Sequence, residues 1–222
     1  MVEAGSTPHD SLREEMASSI IHGVGALLAV AGLAVLTAFA SLRGSAWHVV
    51  GCSTFGLTLV LLYTSSTLYH GISRPRAKAV FSALDHSAIF LLIAGTYTPF
   101  CLVNLRGPWG WSLLGVVWGL AILGIVLRVA LRRRPAAAFV GLYLGMGWCV
   151  LVVAKPLLAA VAPGGLSLLV SGGLVYTAGV AFYAWTRLPY HHAIWHGFVL
   201  AGSILHYFAV LFHVVPWAGL PR

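Results

Sequence analysis

Only one acidic side chain, Asp85, follows Glu15 in this chain of 222 residues. Hydrophobic residues make up 59% of the sequence and charged residues 8%, whereas a soluble domain usually carries about 25% charged residues. Because so few charges cannot cover a water-facing surface, the sequence excludes a soluble globular domain and predicts an integral membrane protein. In such a protein an isolated acid normally has a function or a partner, since a charge against hydrocarbon is costly.

Long apolar segments divide the chain into predicted membrane spans. A helical span needs about 20 mostly apolar residues, and seven segments qualify: roughly 19–41, 47–69, 84–105, 110–131, 137–154, 165–186 and 193–215. The short connections leave no room for a second domain. We therefore predict an all-α fold, a seven-helix transmembrane bundle over 19–215, with a polar cytoplasmic segment over 1–18 and a short outer tail over 216–222. No signal peptide is predicted, because the basic start and the small-residue cleavage site are missing.

Basic residues predict the orientation of the bundle, because they favour the cytoplasmic side of a membrane. Nine fall on the side of the N-terminus: Arg13, Arg74, Arg76, Lys78, Arg128, Arg132, Arg133, Arg134 and Arg187. Four fall on the opposite side: Arg43, Arg106, Lys155 and Arg222. We therefore expect a cytoplasmic N-terminus and a C-terminus outside. Four tryptophans at the predicted outer ends agree, since indole rings anchor in the headgroup region: Trp47, Trp109, Trp111 and Trp217.

The basic residues behind the net charge of +8 lie in short segments beside the membrane. Anionic lipid headgroups are therefore a simpler partner than nucleic acid. We predict membrane lipids as partners and no nucleic acid. The chain is expected to cross the cytoplasmic membrane of the cell several times.

Small residues suggest how the spans pack. Gly115 with Gly119 and Gly141 with Gly145 have the spacing of close helix contacts inside a bundle, with an oligomer interface as the second interpretation. The three cysteines show no paired spacing and are interpreted as small apolar residues, although spacing alone leaves a disulfide between helix ends open.

The rare polar side chains fall at one depth of the predicted bundle. Four separate stretches bring them to the cytoplasmic ends of the spans: Glu15, Ser18 and His22; Ser66 and His70; Asp85 and His86; His191, His192 and His196. Taken singly, a membrane histidine is more often a hydrogen-bonded structural residue than a metal ligand. Scattered structural histidines would not be expected to converge on one layer, so the set favours a buried metal site.

The spacing of the histidines predicts which of them bind a metal. His192 and His196 are four residues apart and share one helix face, a spacing that lets two imidazoles chelate one ion. His70 would supply a third nitrogen. Zinc with three protein ligands keeps a fourth position for water, as in catalytic sites. Asp85 is then expected to hold that water or to act as a base, and Ser66 to orient a ligand or to stabilise an oxyanion.

These residues lie in motifs with a family likeness. The stretches Ser66-Thr67-Leu68-Tyr69-His70, Asp85-His86-Ser87-Ala88-Ile89-Phe90 and His192-Ala193-Ile194-Trp195-His196 resemble the hemolysin III family, the bacterial branch of the progestin and adipoQ receptors. The resemblance runs from about Glu14 to Val214. It implies a Zn²⁺ site with the ligands His70, His192 and His196, a water-holding acid at Asp85 and a site serine at Ser66. It also implies ceramidase-like hydrolysis. Ser18 and Ile21 stand where family members often have Asn and Thr.

Three functions are compatible with this pattern. The favoured one is a zinc-dependent hydrolase of lipid amides or esters, with an acyl-chain substrate in a cavity of the bundle. The alternative is a non-enzymatic membrane sensor or regulator in which zinc is a structural clamp. A pore-forming hemolysin is the least favoured, because no span carries an alternating polar stripe and the chain lacks an export signal.

Overall fold

A computed structural model describes residues 8–131 and 135–216 of the chain. Within them the secondary structure is helical and contains no strand. The α-helices are α1 (Pro8–Arg43), α2 (Ala46–Gly71), α3 (Pro75–Pro99), α4 (Pro108–Ala130), α5 (Ala136–Gly147), α6 (Ala154–Ala160), α7 (Pro163–Ala184) and α8 (His191–His213). A π-helical turn, Phe100–Asn104, extends α3, and a 3₁₀ segment, Trp148–Val153, joins α5 to α6.

These helices form seven continuous helical spans that are long and apolar enough to cross a membrane, which confirms the predicted fold class. The fifth span combines α5, the 3₁₀ segment and α6 over Ala136–Ala160. Four helices begin at a proline: Pro8, Pro75, Pro108 and Pro163. Proline suits the first helical position because its fixed φ is helical and its missing N–H has no partner to lose there. These prolines therefore mark the boundaries that hydropathy alone leaves indistinct.

Several predicted boundaries lie elsewhere. The first helix begins at Pro8 and the third at Pro75, so the helices continue beyond the apolar runs into polar sequence. Residues 1–7, the basic run 132–134 and the tail from residue 217 onward, with its tryptophan, lie outside the described residues. The orientation of the bundle stays a prediction.

Each of the first four helices packs against the next, α7 packs against α8, and α1 also packs against α8, which brings the first and last helices together. The second and seventh spans, α2 and α8, are the most enclosed. In each of them 44% of an apolar 18-residue segment is buried inside the bundle, against 17–33% in the other five spans. These two central helices carry the three histidines of the predicted metal site, which places that site in the protein interior.

The two glycine pairs do not mark helix contacts, and this prediction was wrong. A methyl group at Gly115, Gly119, Gly141 or Gly145 would meet nothing within 4 Å. Close approach occurs instead at glycines whose added methyl would overlap a neighbouring helix: Gly25 with Tyr63, Gly51 with Pro99, Gly56 with Leu33, Gly95 with Thr58 and Gly124 with Phe90. Spacing alone could not distinguish the inner face of a helix from its outer face.

The cysteines and the outer aromatic residues have simple environments. All three cysteines are free thiols, so no disulfide forms. At the end of the bundle away from the histidines, the rings of Trp47 and Trp111 lie 5.6 Å apart. The Arg106 guanidinium lies 4.7 Å above the Trp47 ring. This aromatic cluster joins the start of α2 to the loop and helix that follow α3.

Candidate metal centre and its cavity

Three histidines from the two central helices, α2 and α8, meet in the interior of the bundle. His70 is in the last turn of α2, and His192 and His196 are in the first two turns of α8. One nitrogen from each lies within 4.8 Å of the others. His70 and His196 are buried, and His192 is partly buried. We call the end of the bundle that holds these residues the inner end.

The spacing of the donor atoms suits one small cation. The Nε2 atoms of His70 and His196 lie 3.0 Å apart. The Nδ1 of His70 lies 3.0 Å from a carboxylate oxygen of Glu15. Because a carboxylate only accepts, Nδ1 donates, and the Nε2 of a neutral His70 ring keeps its lone pair. Nitrogens bound to one tetrahedral zinc ion at 2.0–2.1 Å would lie about 3.4 Å apart, so the closest pair already has nearly the spacing of a loaded site.

Unpartnered polar atoms concentrate around the histidines. Among the described residues, buried side-chain atoms without a hydrogen bond at the inner end are Ser18 Oγ, both ring nitrogens of His22, Ser66 Oγ, Arg128 Nε and the Nδ1 atoms of His191 and His196. Buried polar groups in folded proteins are nearly always satisfied. A cluster of exceptions at one place is the pattern expected where a polar occupant, such as an ion with its water, belongs.

Asp85 and Ser66 lie beside the histidines but have different surroundings. The buried Asp85 carboxylate lines a cavity together with His192 and His196, and it lies within electrostatic range of His70. Its Oδ2 is 3.7 Å from Nδ1 of His86. Ser66 is fully buried next to Asp85 and does not line the cavity. The structure thus brings all five predicted site residues to one end of the bundle.

Two adjacent glutamates of α1 make specific contacts; the sequence placed Glu15 at this depth without a role and assigned no position to Glu14. Glu15 Oε2 accepts from His70 and also lies 2.8 Å from Nζ of Lys78. Glu14 Oε1 accepts a hydrogen bond of 2.9 Å from the backbone N–H of His192. The adjacent acids therefore reach the two helices that carry the histidines. No local pattern predicts these contacts, because they depend on the packing of α1 against α2 and α8.

The start of α8 has an unusual backbone. Tyr190, which precedes the helix, adopts the left-handed conformation with φ 59°, and its side chain does not cap the helix. A bulky residue in this region is strained by roughly 1–3 kcal/mol. Glu14 compensates from α1, because a carboxylate at a helix N-terminus satisfies a free N–H and complements the helix dipole. The first turn of α8, which holds His192, is therefore fixed from another helix.

His22 was also outside the predicted ligand set. It is buried on α1, and its ring centroid lies 3.9 Å from that of His196 and 4.9 Å from that of Tyr63. His22 therefore forms part of the wall against which His196 packs. His206, another buried histidine of α8, lies 3.2 Å from the carbonyl oxygen of Leu169 on α7 through Nε2.

A cavity of about 620 Å³ extends from the candidate metal centre into the bundle. Its inner end is lined by Asp85, His192 and Arg128, and its far end by Leu105 and Leu113. Twenty residues separate Asp85 from Leu105 along α3 and its extension, which corresponds to roughly 30 Å at 1.5 Å per residue. The remaining wall is mostly apolar and comes mainly from α3, the fifth span (α5, the 3₁₀ segment and α6), α7 and α8.

The motifs and the geometry agree with the comparison to known proteins. The family described as haemolysin-III related matches residues 11–207. This chain belongs to the haemolysin III family. It is 48% identical over 208 residues to "Hemolysin-3" of Bacillus cereus, covering 94% of this chain and 95% of that protein. It is 46% identical over 205 residues to the "Hemolysin-3 homolog" of Bacillus subtilis (strain 168), covering 92% and 96%.

A more distant similarity connects this chain with animal proteins. The human "Monocyte to macrophage differentiation factor" is 27% identical over 203 residues, which cover 89% of this chain and 83% of the human protein. This relative supports the place of haemolysin III proteins as the bacterial branch of the progestin and adipoQ receptors. The family and the seven apolar helices together make this chain a multi-pass membrane protein.

Proposed function

We propose that this haemolysin III protein is a zinc-dependent hydrolase of lipid amides or esters in the cytoplasmic membrane. One observation carries the proposal: the three-histidine cluster and Asp85 stand at the end of a long, mostly apolar cavity. Its volume of about 620 Å³ lies within the range of about 300–1,000 Å³ that is typical of small-molecule sites. A lipid acyl chain matches both its length and its apolar wall.

The donor set favours zinc over harder cations. Three imidazole nitrogens suit zinc, whereas magnesium and calcium prefer oxygen ligands. Three protein ligands also leave a position open, as in catalytic zinc sites. When bound, zinc would supply Lewis acidity toward a carbonyl oxygen and would make a water molecule more acidic.

The side chains around the three histidines would transfer the protons and orient the reacting groups. Asp85 would take a proton from the attacking water and pass it to the departing amine or alcohol. Water adds to the carbonyl carbon, the C–N or C–O bond breaks, and the products are a carboxylic acid and an amine or alcohol. Ser66, next to Asp85 and off the cavity wall, would orient the carboxylate rather than contact the substrate.

Arg128 would hold the polar end of the lipid. It lines the cavity near Asp85, stacks 5.3 Å from the Phe139 ring, and its buried Nε has no hydrogen bond within the described residues. A guanidinium with free donors binds a carboxylate strongly. We therefore assign Arg128 to the negative end of the substrate or of the fatty-acid product.

A structural clamp is the second candidate. The three histidines come from α2 and α8, so one ion would tie the two most enclosed helices together whether or not it catalyses a reaction. A sensor with a fixed metal would need no acid beside an open ligand position. The proximity of Asp85 to the centre therefore favours the hydrolase.

Asp85→Asn distinguishes the two candidates. The variant keeps the size of the side chain and loses the proton-accepting charge, so it should retain zinc and fold while hydrolysis of acyl-amide and acyl-ester probes falls by on the order of 10²-fold or more. Zinc is supplied in excess, because a residue beside the ligands can also affect metal affinity. Absence of turnover by the wild-type protein on a broad lipid panel would favour the clamp.

A further inference from the structure

The carboxylate of Glu15 connects three helices at one oxygen atom. Oε2 accepts a hydrogen bond from Nδ1 of His70 on α2 at 3.0 Å and one from Nζ of Lys78 on α3 at 2.8 Å. Glu15 itself lies on α1. Its side chain is one-third exposed, whereas that of His70 is only 3% exposed. The contact thus joins a partly exposed acid to an enclosed imidazole.

This contact determines which nitrogen of His70 faces the metal centre. The carboxylate accepts the Nδ1–H, so Nε2 is the unprotonated nitrogen of the neutral ring. Nε2 is also the atom that approaches His196, at 3.0 Å. Glu15 and His196 therefore contact opposite sides of the same imidazole. A carboxylate behind a ligating histidine fixes the ring orientation and tautomer and raises the basicity of the ligand nitrogen.

Lys78 holds the carboxylate of Glu15 in position. Its Nζ contacts the same oxygen as His70 and also lies 5.0 Å above the Tyr69 ring. The Tyr69 ring in turn lies 4.6 Å from the His70 ring. The ammonium is therefore held by two neighbours, and it keeps a counter-charge beside Glu15.

We propose that Glu15 is a positioning residue of the metal centre, which holds His70 with Nε2 directed at the ion, and that Lys78 holds Glu15 in place. This inference rests on the proposed metal site, since it takes His70 to be a ligand. Glu15 approaches His70 from a small separate pocket of about 190 Å³ on the far side of the ring. It contacts neither the substrate cavity nor the reacting atoms, so its effect should appear in metal binding itself.

The test measures zinc affinity of the purified full-length chain by competition with a chelator. Glu15→Ala should weaken zinc binding by about 10- to 100-fold, the usual cost of losing such a partner. Glu15→Gln retains an acceptor oxygen and should show a smaller loss. Lys78→Met should weaken binding as well, whereas Arg76→Met, an exposed basic residue two positions away on α3, should not.

Ser19→Ala is the matched control on α1. Ser19 Oγ donates to the backbone oxygen of Thr67 on α2 at 3.1 Å, one helical turn from Glu15, so the variant removes an α1–α2 hydrogen bond without touching a histidine. Its zinc affinity should stay within about twofold of wild type. If Ser19→Ala weakens zinc binding as much as Glu15→Ala, the effect is general helix packing and the inference is wrong.

Two further readouts separate positioning from folding. The visible spectrum of the cobalt(II)-loaded protein should shift in Glu15→Gln and stay unchanged in Ser19→Ala, because only the first alters a ligand nitrogen. The thermal stabilisation on adding zinc should shrink in Glu15→Gln, while the melting temperature of the zinc-free protein stays close to wild type. If Glu15→Ala does not fold, Glu15→Gln decides the matter.

The possible failures can be distinguished. Wild-type protein that binds no zinc or cobalt would overturn the metal centre, and the role of Glu15 with it. Wild-type protein that binds zinc, with unchanged affinity and cobalt spectrum in both Glu15 variants, would overturn this inference alone and leave the proposed hydrolase intact.

Discussion

The histidines at the inner end differ in what contacts the ring nitrogen that faces away from the metal centre. His70 is backed by Glu15, whereas the Nδ1 of His196 is buried without a hydrogen bond in the described residues. The sequence predicted both as equivalent ligands, because spacing reports which face of a helix a histidine occupies and not what contacts its second nitrogen. That information comes from the packing of α1.

Arg128 gives a test at the same scale. If it binds the carboxylate of the product, Arg128→Gln should weaken inhibition by a free fatty acid by about 10- to 100-fold, since a charge-assisted hydrogen bond contributes about 1.5–3 kcal/mol. Arg128→Lys keeps the charge and should retain part of that inhibition. The measurement is the inhibition constant of a long-chain fatty acid against a fixed acyl substrate. Equal inhibition of wild type and Arg128→Gln would place the lipid's polar end elsewhere.

At the scale of helices, number and type were predictable and contact faces were not. Seven apolar runs separated by turns predict seven spans because hydrocarbon solvates no free backbone groups, and only helices of sufficient length satisfy them internally. Helix extensions into polar sequence, such as the start of α1 at Pro8, fall outside this signal. The contact faces depend on which side of each rod meets a neighbour, and no single-helix pattern contains that information.

In the candidate metal site, too, some features could be predicted from the sequence and others depend on helix packing. His192 and His196 could be paired from sequence because they lie one turn apart on one helix. The convergence of His70 and Asp85 was inferred from depth alone. The contacts of Glu14 and His22 could not be inferred, since they require α1 to lie against α8.

Glycines on α3 and α4 test the helix contacts. Gly95→Ala should destabilise the protein by about 1–3 kcal/mol, because its added methyl would overlap the stiff, branched side chain of Thr58 on α2. Gly119→Ala is the control: nothing lies within 4 Å of its methyl, so the better helix propensity of alanine should leave stability equal or higher by up to about 1 kcal/mol. Thermal unfolding in detergent compares the two. A larger loss for Gly119→Ala would contradict the described packing.

At the scale of the whole molecule, the bundle is asymmetric. Polar and ionisable groups gather at the inner end, around the three histidines, and the outer end is marked by aromatic contacts such as Trp47 with Trp111. The cavity spans the apolar layer between the two ends. A lipid reacting at the histidines would thus keep its acyl chain in the bundle and its polar end near one membrane surface.

The basic residues predict which surface that is. A reporter fused after Arg222 should be extracytoplasmic, and a reporter inserted near Arg133 should be cytoplasmic, because nine basic residues against four favour a cytoplasmic N-terminus. Reporter activity and labelling of introduced cysteines in intact cells both measure this. The reverse pattern would move the metal centre to the outer leaflet.

The metal content of the purified protein tests the central claim most directly. Elemental analysis of the full chain should find about one zinc per wild-type molecule. It should find none in the double variant His192→Ala/His196→Ala, which should also melt at a lower temperature, because binding energy from a metal between α2 and α8 adds to folding stability. His206→Ala, a buried histidine of α8 outside the three-histidine set, should keep its zinc. Full zinc occupancy in the double variant, or no zinc in the wild-type protein under metal-replete conditions, would contradict the account.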